Sequence, residues 1–144
     1  MTEVWHKGEF EISTDPQRVD LPAVHAFLST EAYWSPGVSL DVVQRAIEAS
    51  IVFGVYRGEE QVGLARVVSD RATFAWLCDV FILEQYRGNG LGKWLMECVV
   101  AHPELQGLRR FMLATRDAHG LYAQYGFTPV EPSKFMERRR SVSP

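Results

Sequence analysis

The chain has 144 residues, of which 47% are hydrophobic and 23% are charged, and its formal net charge is −3. This length predicts a single domain over residues 1–144 that buries a core without disulfide bonds. The net negative charge disfavours binding to nucleic acid over a broad surface. No apolar run approaches the ~20 residues that cross a membrane. The two cysteines and four histidines lack the spacing of a disulfide framework or a zinc site, so we expect a cytoplasmic protein without a metal.

The first half of the chain predicts a strand, two helices and the start of an antiparallel sheet. Polar and apolar residues alternate over 8–13, which is typical of a strand. Asp20 and Ser39 are candidate N-cap residues, because each stands directly before an apolar stripe of helical spacing. The first helix runs to about Glu31, and a loop over 32–38 separates it from the second. Three strands then form a meander, at 51–56, 61–69 and 73–83.

The second half of the chain alternates between helices and strands. We predict a helix over 90–102, a strand over 110–115, a helix over 117–125, a strand that begins at 127 and a last strand over 135–138. Pro103 ends the first of these helices, and Gly126 ends the second. The resulting order is β-α-α-β-β-β-α-β-α-β-β. Because strand–helix–strand units follow a meander, this order predicts an α/β (α+β) domain with a mixed rather than purely parallel sheet.

Three glycines fall within five residues between the last meander strand and the next helix. The stretch reads Gln85-Tyr86-Arg87-Gly88-Asn89-Gly90-Leu91-Gly92-Lys93. Glycines let backbone N–H groups converge on a ligand, and the start of the following helix adds free N–H groups and the positive end of its dipole. Arg87 and Lys93 add positive charge on either side. Together these features predict a site for an anion such as a pyrophosphate.

Two common phosphate-binding patterns fail at this glycine turn. The P-loop pattern fails because Trp94 follows Lys93, and the Rossmann pattern fails because Lys93 stands where its third glycine would be. The arrangement Gln85-x-x-Gly88-x-Gly90 after a meander instead resembles motif A of the GNAT superfamily of N-acetyltransferases. In that family the loop binds the pyrophosphate of acetyl-coenzyme A. A tight strand-to-helix turn without a ligand is the alternative.

A second segment, about 30 residues downstream, strengthens the resemblance. Leu121-Tyr122-Ala123-Gln124-Tyr125-Gly126-Phe127 looks like motif B of the same superfamily, and Thr115 and Ala118 stand where the family often has Asn-x-x-Ala. The resemblance covers residues 51–127 well and residues 1–50 in pattern only. It implies a mixed, mostly antiparallel central sheet of six to seven strands flanked by about four helices, with acetyl-coenzyme A as co-substrate.

The resemblance also assigns the contacts of that co-substrate. Backbone groups at the end of the meander would hold the pantetheine arm and polarise the acyl carbonyl, and the glycine turn would hold the pyrophosphate. Thr115 would face the pantetheine arm, although the family more often has Asn there. The implied cofactor-binding residues are Val80, Phe81, Ile82, Arg87, Gly88, Asn89, Gly90, Leu91, Gly92, Lys93 and Thr115.

Acyl transfer from a thioester to an amine needs a neutral amine and a protonated leaving thiol. The pKa of a thiol is ~8.5 and that of a phenol ~10, and Tyr122 stands at the family's position for the general acid. Asp79 is the only acid in the long strand, and Asp79-Val80-Phe81-Ile82 is similar to a run with which diamine acetyltransferases hold a cationic substrate. We therefore predict Tyr122 and Asp79 as catalytic residues. A salt-bridged strand residue is the alternative for Asp79, and helix-end packing is the alternative for Tyr122.

The loop between the first two helices lines the acceptor site in this superfamily. Tyr33 and Trp34 could hold an ammonium group by cation–π contact, and Glu31 is a further candidate anion. We therefore predict transfer of an acetyl group to a primary amine, with a small molecule favoured over a polypeptide N-terminus or lysine. The general base stays open between Asp79, another residue and water. A non-catalytic acyl-coenzyme-A sensor is the alternative function, and a homodimer through the late strands is a further expectation by analogy.

Overall fold

The computed structural model describes residues 2–140, and over that range it contains one sheet and four α-helices. The strands lie in the sheet in chain order: β1 (Val4–Lys7), β2 (Phe10–Ser13), β3 (Ile51–Arg57), β4 (Glu60–Ser69), β5 (Phe74–Ile82) and β6 (Arg110–Leu113). The helices are α1 (Leu21–Thr30), α2 (Leu40–Glu48), α3 (Leu91–Ala101) and α4 (His119–Ala123). β1 to β5 pair antiparallel, and β6 joins β5 in parallel. The predicted mixed, mostly antiparallel sheet flanked by helices is confirmed.

The first two helices begin at the caps that the sequence predicts. The Asp20 carboxylate accepts a hydrogen bond from the N–H of Ala23 at 3.1 Å, and the Ser39 hydroxyl accepts one from the N–H of Val42 at 3.2 Å. Each bond satisfies one of the N–H groups that a helix start leaves without a partner. The Asp20 cap fixes the start of α1, and the Ser39 cap fixes the end of the loop between α1 and α2.

The sheet separates two hydrophobic clusters. One packs β-strand side chains such as Phe53 beneath α3 and α4, where Leu95 and Val99 are fully buried. The other lies beneath α1 and α2, where the ring of Phe27 stacks on that of Phe81 with centroids 3.9 Å apart. Burying one such side chain stabilises the fold by about 1.5–3 kcal/mol, so both faces of β5 are tightly held.

The structure differs from the prediction at both chain ends. The strand predicted over 8–13 forms as β2 (Phe10–Ser13), but it is the second arm of a hairpin, because Gly8 has φ +59° and closes a turn after β1, which was not predicted. The strands predicted to begin at 127 and to span 135–138 do not form within the described residues. Pro129 and Pro132 lack the N–H that strand pairing requires, and a single turn of 3₁₀ helix over 132–134 interrupts the segment.

We predict that Gly54→Ala lowers the free energy of unfolding by about 1–3 kcal/mol, the usual effect of overpacking a core. A Cβ atom on Gly54 would collide with the hydroxyl and ring of Tyr56, which is 2% exposed and has the Arg18 guanidinium 4.1 Å from its ring centroid. Urea unfolding followed by circular dichroism measures the change.

Gly120→Ala is the matched control for that substitution. Its Cβ position in α4 has no neighbouring atom within 4 Å, so the variant should be neutral or slightly more stable than the unmodified protein. Equal stability of the two alanine variants would contradict the proposed collision at Gly54.

Candidate active site

The sheet opens into a gap where β5 and β6 part. β6 pairs only with residues 74–77 of β5, and the chain then leaves the sheet after Leu113. Along 78–82 the β6-facing edge of β5 therefore has no strand partner within the described part of the chain. Free backbone donors and acceptors on such an edge can bind an extended amide-bearing ligand. This is the edge that carries the predicted backbone contacts of Val80, Phe81 and Ile82.

The glycine turn lies at the end of this gap and leads into α3. Gly88 has φ +83° and Gly90 has φ +75°, a backbone conformation that favours glycine, and no atom lies within 4 Å of the place where either Cβ would stand. Gly90 is the N-cap of α3, and no side chain caps that helix. The first N–H groups of α3 are therefore open to an anion, which favours a phosphate site over a plain turn.

The charged residues of the turn are held in different ways. The Arg87 Nε donates a hydrogen bond to the Ile82 carbonyl at 2.9 Å, which ties the turn to the end of β5 and occupies that carbonyl. The Asn89 amide donates to the Tyr86 carbonyl at 3.1 Å. Lys93 is exposed on the first turn of α3, beside the buried Leu91 and the half-buried Gly92. The remaining N–H groups of Arg87 and the Lys93 ammonium are free to bind phosphate oxygens.

A β-bulge at Asp79 interrupts the alternation that the sequence predicts along β5. Asp79 has φ +54°, and the register between β4 and β5 shifts beside it. Leu77 before the bulge and Val80 after it both pack in the cluster beneath α3, which a regular strand would not allow. The extra residue directs Asp79 and Phe81 toward the face covered by α1 and α2.

The Asp79 carboxylate is paired on both of its oxygens. Arg66 Nε donates to Oδ2 at 2.8 Å, and the indole N–H of Trp34 donates to Oδ1 at 2.8 Å. The side chains of Arg66 and Asp79 are only 17% and 14% exposed, and Arg66 also donates to the Ser50 hydroxyl at 3.0 Å. The structure therefore brings together two predicted site residues, Asp79 and Trp34, and adds Arg66. A lone arginine in the apolar run of β4 was the sequence signal for that partner.

The loop over 31–38 is anchored to α1 and presents its aromatic pair to the gap. His25 Nε2 donates to the Val38 carbonyl at 3.0 Å, and the Ser35 hydroxyl donates to the Leu28 carbonyl at 2.7 Å. Tyr33 meets Trp34 edge to face with ring centroids 5.1 Å apart, and both side chains are nearly half exposed. The predicted acceptor loop thus has a fixed shape and an open outer surface.

Glu31 lies apart from this aromatic pair. It is exposed and lines a cavity of about 260 Å³ between α1 and the end of β5, together with Phe27 and Phe81. No ion pair forms at Glu31 among residues 2–140. Glu31 therefore lies on the α1 side of β5, beside Phe81.

Tyr122 is the buried phenol of the site. Burial raises its pKa above the usual value of 10, and the charges of ionised Tyr33 and Asp117 raise it further. Tyr125, the other tyrosine of the same segment, donates its hydroxyl to the Lys93 carbonyl at 2.9 Å and ties the end of α4 to α3. The two tyrosines therefore differ. Tyr125 makes a structural hydrogen bond, and Tyr122 is a buried phenol that keeps its proton at neutral pH.

Thr115 shapes the loop between β6 and α4. Its hydroxyl oxygen accepts a hydrogen bond from the N–H of Ala118 at 3.0 Å, which stabilises the turn before α4. Thr115 and Tyr122 also line a cavity of about 1150 Å³ between β6 and the segment over 126–135. No residue of the glycine turn or of β5 lines that cavity, so the proposed phosphate contacts lie outside it.

Cys78 is adjacent to Asp79 but is poorly suited to nucleophilic chemistry. Burial raises the pKa of its thiol to about 11, so the thiol stays protonated at neutral pH. Among residues 2–140 no group of three or more histidine, cysteine or acidic side chains is arranged to hold a metal ion. In the same range, no helix has the length and apolar character needed to cross a membrane.

Comparisons with known proteins agree with this geometry. The profile of the acetyltransferase (GNAT) domain family matches residues 48–129. A Gibberella zeae protein named as an acetyltransferase is 34% identical over 142 residues, with 83% of this chain and 79% of that protein covered.

Solved structures give the same assignment. A GNAT-family acetyltransferase from Xanthomonas campestris pv. campestris is 50% identical, with a TM-score of 0.89 and 96% of each chain covered. A GNAT-family acetyltransferase from Elizabethkingia anophelis, solved with acetyl-CoA bound, shares the fold at 14% identity, with a TM-score of 0.64 and 87% of this chain and 80% of that chain covered. The chain belongs to the GNAT family of acetyltransferases.

Proposed function

We propose that this protein transfers the acetyl group of acetyl-coenzyme A to a primary amine of a small molecule, by direct attack in a ternary complex. The observation that carries the proposal is that three features border one hydrophobic cluster, in which Leu91 of α3 and Tyr122 are buried and against which Val80 of β5 packs. These are the uncapped glycine turn at α3, the unpaired edge of β5, and the buried phenol of Tyr122. When bound, acetyl-coenzyme A supplies an activated thioester. Every other requirement of the reaction falls on the residues around the gap.

The backbone binds and orients the thioester. The N–H groups of Val80 and its neighbours on the open edge of β5 would pair with the pantetheine amides and polarise the acyl carbonyl. The free N–H groups at the start of α3, with Arg87 and Lys93, would neutralise the pyrophosphate. The fit is supported by the open space at Gly88 and Gly90, where no atom lies within 4 Å of either Cβ position and a backbone N–H could approach a phosphate closely.

Tyr122 is the proposed general acid. The attacking nitrogen forms a bond to the acyl carbon while the carbon–sulfur bond breaks, and the departing sulfur takes a proton from the Tyr122 hydroxyl. Because burial raises the pKa of Tyr122, this hydroxyl keeps its proton throughout the neutral range. The acceptor ammonium loses one proton to water beside Tyr33 and Trp34 before its nitrogen attacks. The second proton, which the nitrogen loses after the attack, returns through water to the Tyr122 phenolate.

Asp79 is the proposed positioning residue of the acceptor loop. Its two oxygens already accept hydrogen bonds from Arg66 and Trp34, which leaves the carboxylate poorly placed to accept a proton from a substrate. The same two bonds tie the loop over 31–38 to the bulge in β5. The ion pair would therefore hold the aromatic pair at the distance that the acceptor needs, and water rather than Asp79 would serve as the base.

We predict that acetyl-coenzyme A, at 100 times its dissociation constant, stabilises the folded protein by about 2.7 kcal/mol, as expected for a ligand of the native state alone. ATP and NAD should give no comparable shift in melting temperature.

Gly88→Ala should weaken acetyl-coenzyme A binding by more than about tenfold, equivalent to 1.4 kcal/mol. Gly107→Ala is the matched control, since Gly107 also has a positive φ (+68°) and open space at its Cβ position. Equal binding by the two variants would remove the glycine turn from the site.

We predict that Tyr122→Phe lowers kcat by about 100-fold or more, in the range of general acid catalysis, with acetyl-coenzyme A binding unchanged within about twofold. Release of free thiol in the presence of an amine measures kcat. Tyr125→Phe is the matched control, because it removes a hydroxyl that bonds only to the Lys93 carbonyl. A kcat equal to that of the unmodified enzyme would reject Tyr122 as the acid.

The pH profile tests the same assignment. The pKa of Tyr122 lies above 10 in the folded protein, so the acid form persists as pH rises and is lost only beyond that value. We therefore expect kcat to show no alkaline decline between about pH 7 and pH 10.

If acetyl-coenzyme A binds but no amine in a broad panel releases thiol, the protein is a sensor of acyl-coenzyme A.

We predict that Asp79→Asn lowers the free energy of unfolding by about 3 kcal/mol, because it leaves the mostly buried Arg66 without its counter-charge. Asparagine tolerates the positive φ of this position, so backbone strain does not add to the effect. Urea unfolding measures the loss, and the double variant Arg66→Met with Asp79→Asn should recover much of it.

Kinetics of the same variant separate positioning from base catalysis. As a positioning residue, Asp79 should affect the KM of the amine acceptor and leave the shape of the acid limb of the pH profile unchanged. Trp34→Phe, which removes the other bond to Asp79, should raise the same KM. Disappearance of the acid limb in Asp79→Asn would show that Asp79 is the base after all.

A further inference from the structure

We infer that the acceptor carries an anionic group, a carboxylate or a phosphate, in addition to its amine, and that Arg116 binds this group. The inference rests on the proposed function of the site and names the class of its acceptor. It differs from the expectation drawn from the sequence, in which Asp79 and Glu31 favoured a cationic acceptor. Three observations support it.

The first observation concerns the charge of Asp79. Its carboxylate is neutralised by Arg66 at 2.8 Å, and its second oxygen is taken by the Trp34 indole. A second ammonium on the acceptor would have to displace one of these partners to reach it. Glu31 lies beside α1 and Phe27, on the border of a different cavity. The negative charge of Asp79, whose carboxylate binds Trp34 of the predicted acceptor loop, is therefore already neutralised before an acceptor binds.

The second observation is the guanidinium of Arg116. It comes from the loop between β6 and α4, and its central carbon lies 3.8 Å from the centroid of the Tyr33 ring. No carboxylate approaches it within 4.0 Å among residues 2–140. Stacking on an aromatic face fixes the plane of a guanidinium and leaves its in-plane N–H donors free. That fork matches the two oxygens of a carboxylate or a phosphate.

The third observation is the place of Arg116 relative to the reacting atoms. Tyr33, on which it stacks, meets Trp34 edge to face with ring centroids 5.1 Å apart, and the Trp34 indole donates to Asp79 of β5 at 2.8 Å. The guanidinium of Arg116 therefore lies beside the aromatic pair of the predicted acceptor loop. The phosphate groups of the co-substrate would instead meet Arg87 and Lys93 at the glycine turn.

The neighbouring Asp117 adds a negative charge beside the positive charge of Arg116. Asp117 follows Arg116 in the loop between β6 and α4, and its side chain is exposed. An acceptor with an ammonium near Asp117 and an anion on Arg116 would have both of its charges matched. Small amino acids and amino sugar phosphates have this layout, and simple alkylamines and diamines do not.

The test uses matched pairs of amines that differ in one anionic group. The pairs are β-alanine with ethylamine, O-phosphoethanolamine with ethanolamine, and glucosamine 6-phosphate with glucosamine; putrescine represents the diamines. Release of free thiol by the full chain gives kcat/KM for each amine. We expect at least one anionic member to exceed its partner by about 10- to 100-fold, as expected for hydrogen bonds to a charged group. The pair that shows the larger ratio distinguishes a carboxylate from a phosphate.

Substitutions of Arg116 assign that preference to the residue. Arg116→Gln should raise the KM of the anionic amine by about 10- to 100-fold and leave the KM of acetyl-coenzyme A unchanged. Arg116→Lys should restore part of the preference, since it returns the charge without the planar fork. Arg45→Gln on α2 is the matched control, because it removes one exposed arginine charge at a surface pair with Asp41.

The outcomes separate this inference from the proposed function. Equal or better use of neutral amines or putrescine would overturn the anionic acceptor and keep the enzyme. A rise in the KM of acetyl-coenzyme A alone in Arg116→Gln would assign Arg116 to a phosphate of the co-substrate and would also overturn it. If no amine of the panel releases thiol while acetyl-coenzyme A still binds, the proposed function fails and the inference fails with it.

Discussion

The acceptor side of this protein depends on the ion pair between Arg66 and Asp79. Both side chains are mostly buried, and an isolated charge in that position would be strongly destabilising, so each requires the other. The pair joins β4 to the bulge in β5, and its second carboxylate oxygen binds Trp34. One interaction thereby couples the strand that would present the thioester to the loop that would present the acceptor. The ion pair has a structural role, and the negative charge of Asp79 is no longer available to a substrate.

The bulge and the gap in the sheet have a common origin in the geometry of β5. The extra residue at Asp79 reverses which side chains face each cluster, and β6 stops pairing at Leu113, just before that point. The edge of β5 is thus left without a partner where an extended ligand would need backbone groups. The glycine turn follows within a few residues, so the proposed pantetheine and pyrophosphate contacts lie on consecutive stretches of one chain segment.

Much of the fold was accessible from local patterns. The caps at Asp20 and Ser39, the meander, and the turn around Gly88 and Gly90 were predicted because each depends on residues that are neighbours in sequence. The errors arose where pairing between distant segments decides the outcome. The hairpin at Gly8 needed a partner strand upstream, and the last strands lacked the N–H groups that a partner would bind. Arg116 has no sequence signal, because its contact with Tyr33 joins two loops that the sheet brings together.

The uneven glycines, the tyrosine segment and the modest acidic charge were determined by the sequence alone, and they sufficed to indicate the family and its co-substrate. These features are local: φ angles, helix starts and composition do not require knowledge of what lies across the sheet. Which charges are free and which are neutralised was decided only by the tertiary structure. Asp79 and Arg66 are 13 residues apart in the chain, and Trp34 is 45 residues from Asp79. Electrostatic interactions act through space, so the same carboxylate that looks like a substrate ligand in the sequence is, in the fold, already bound.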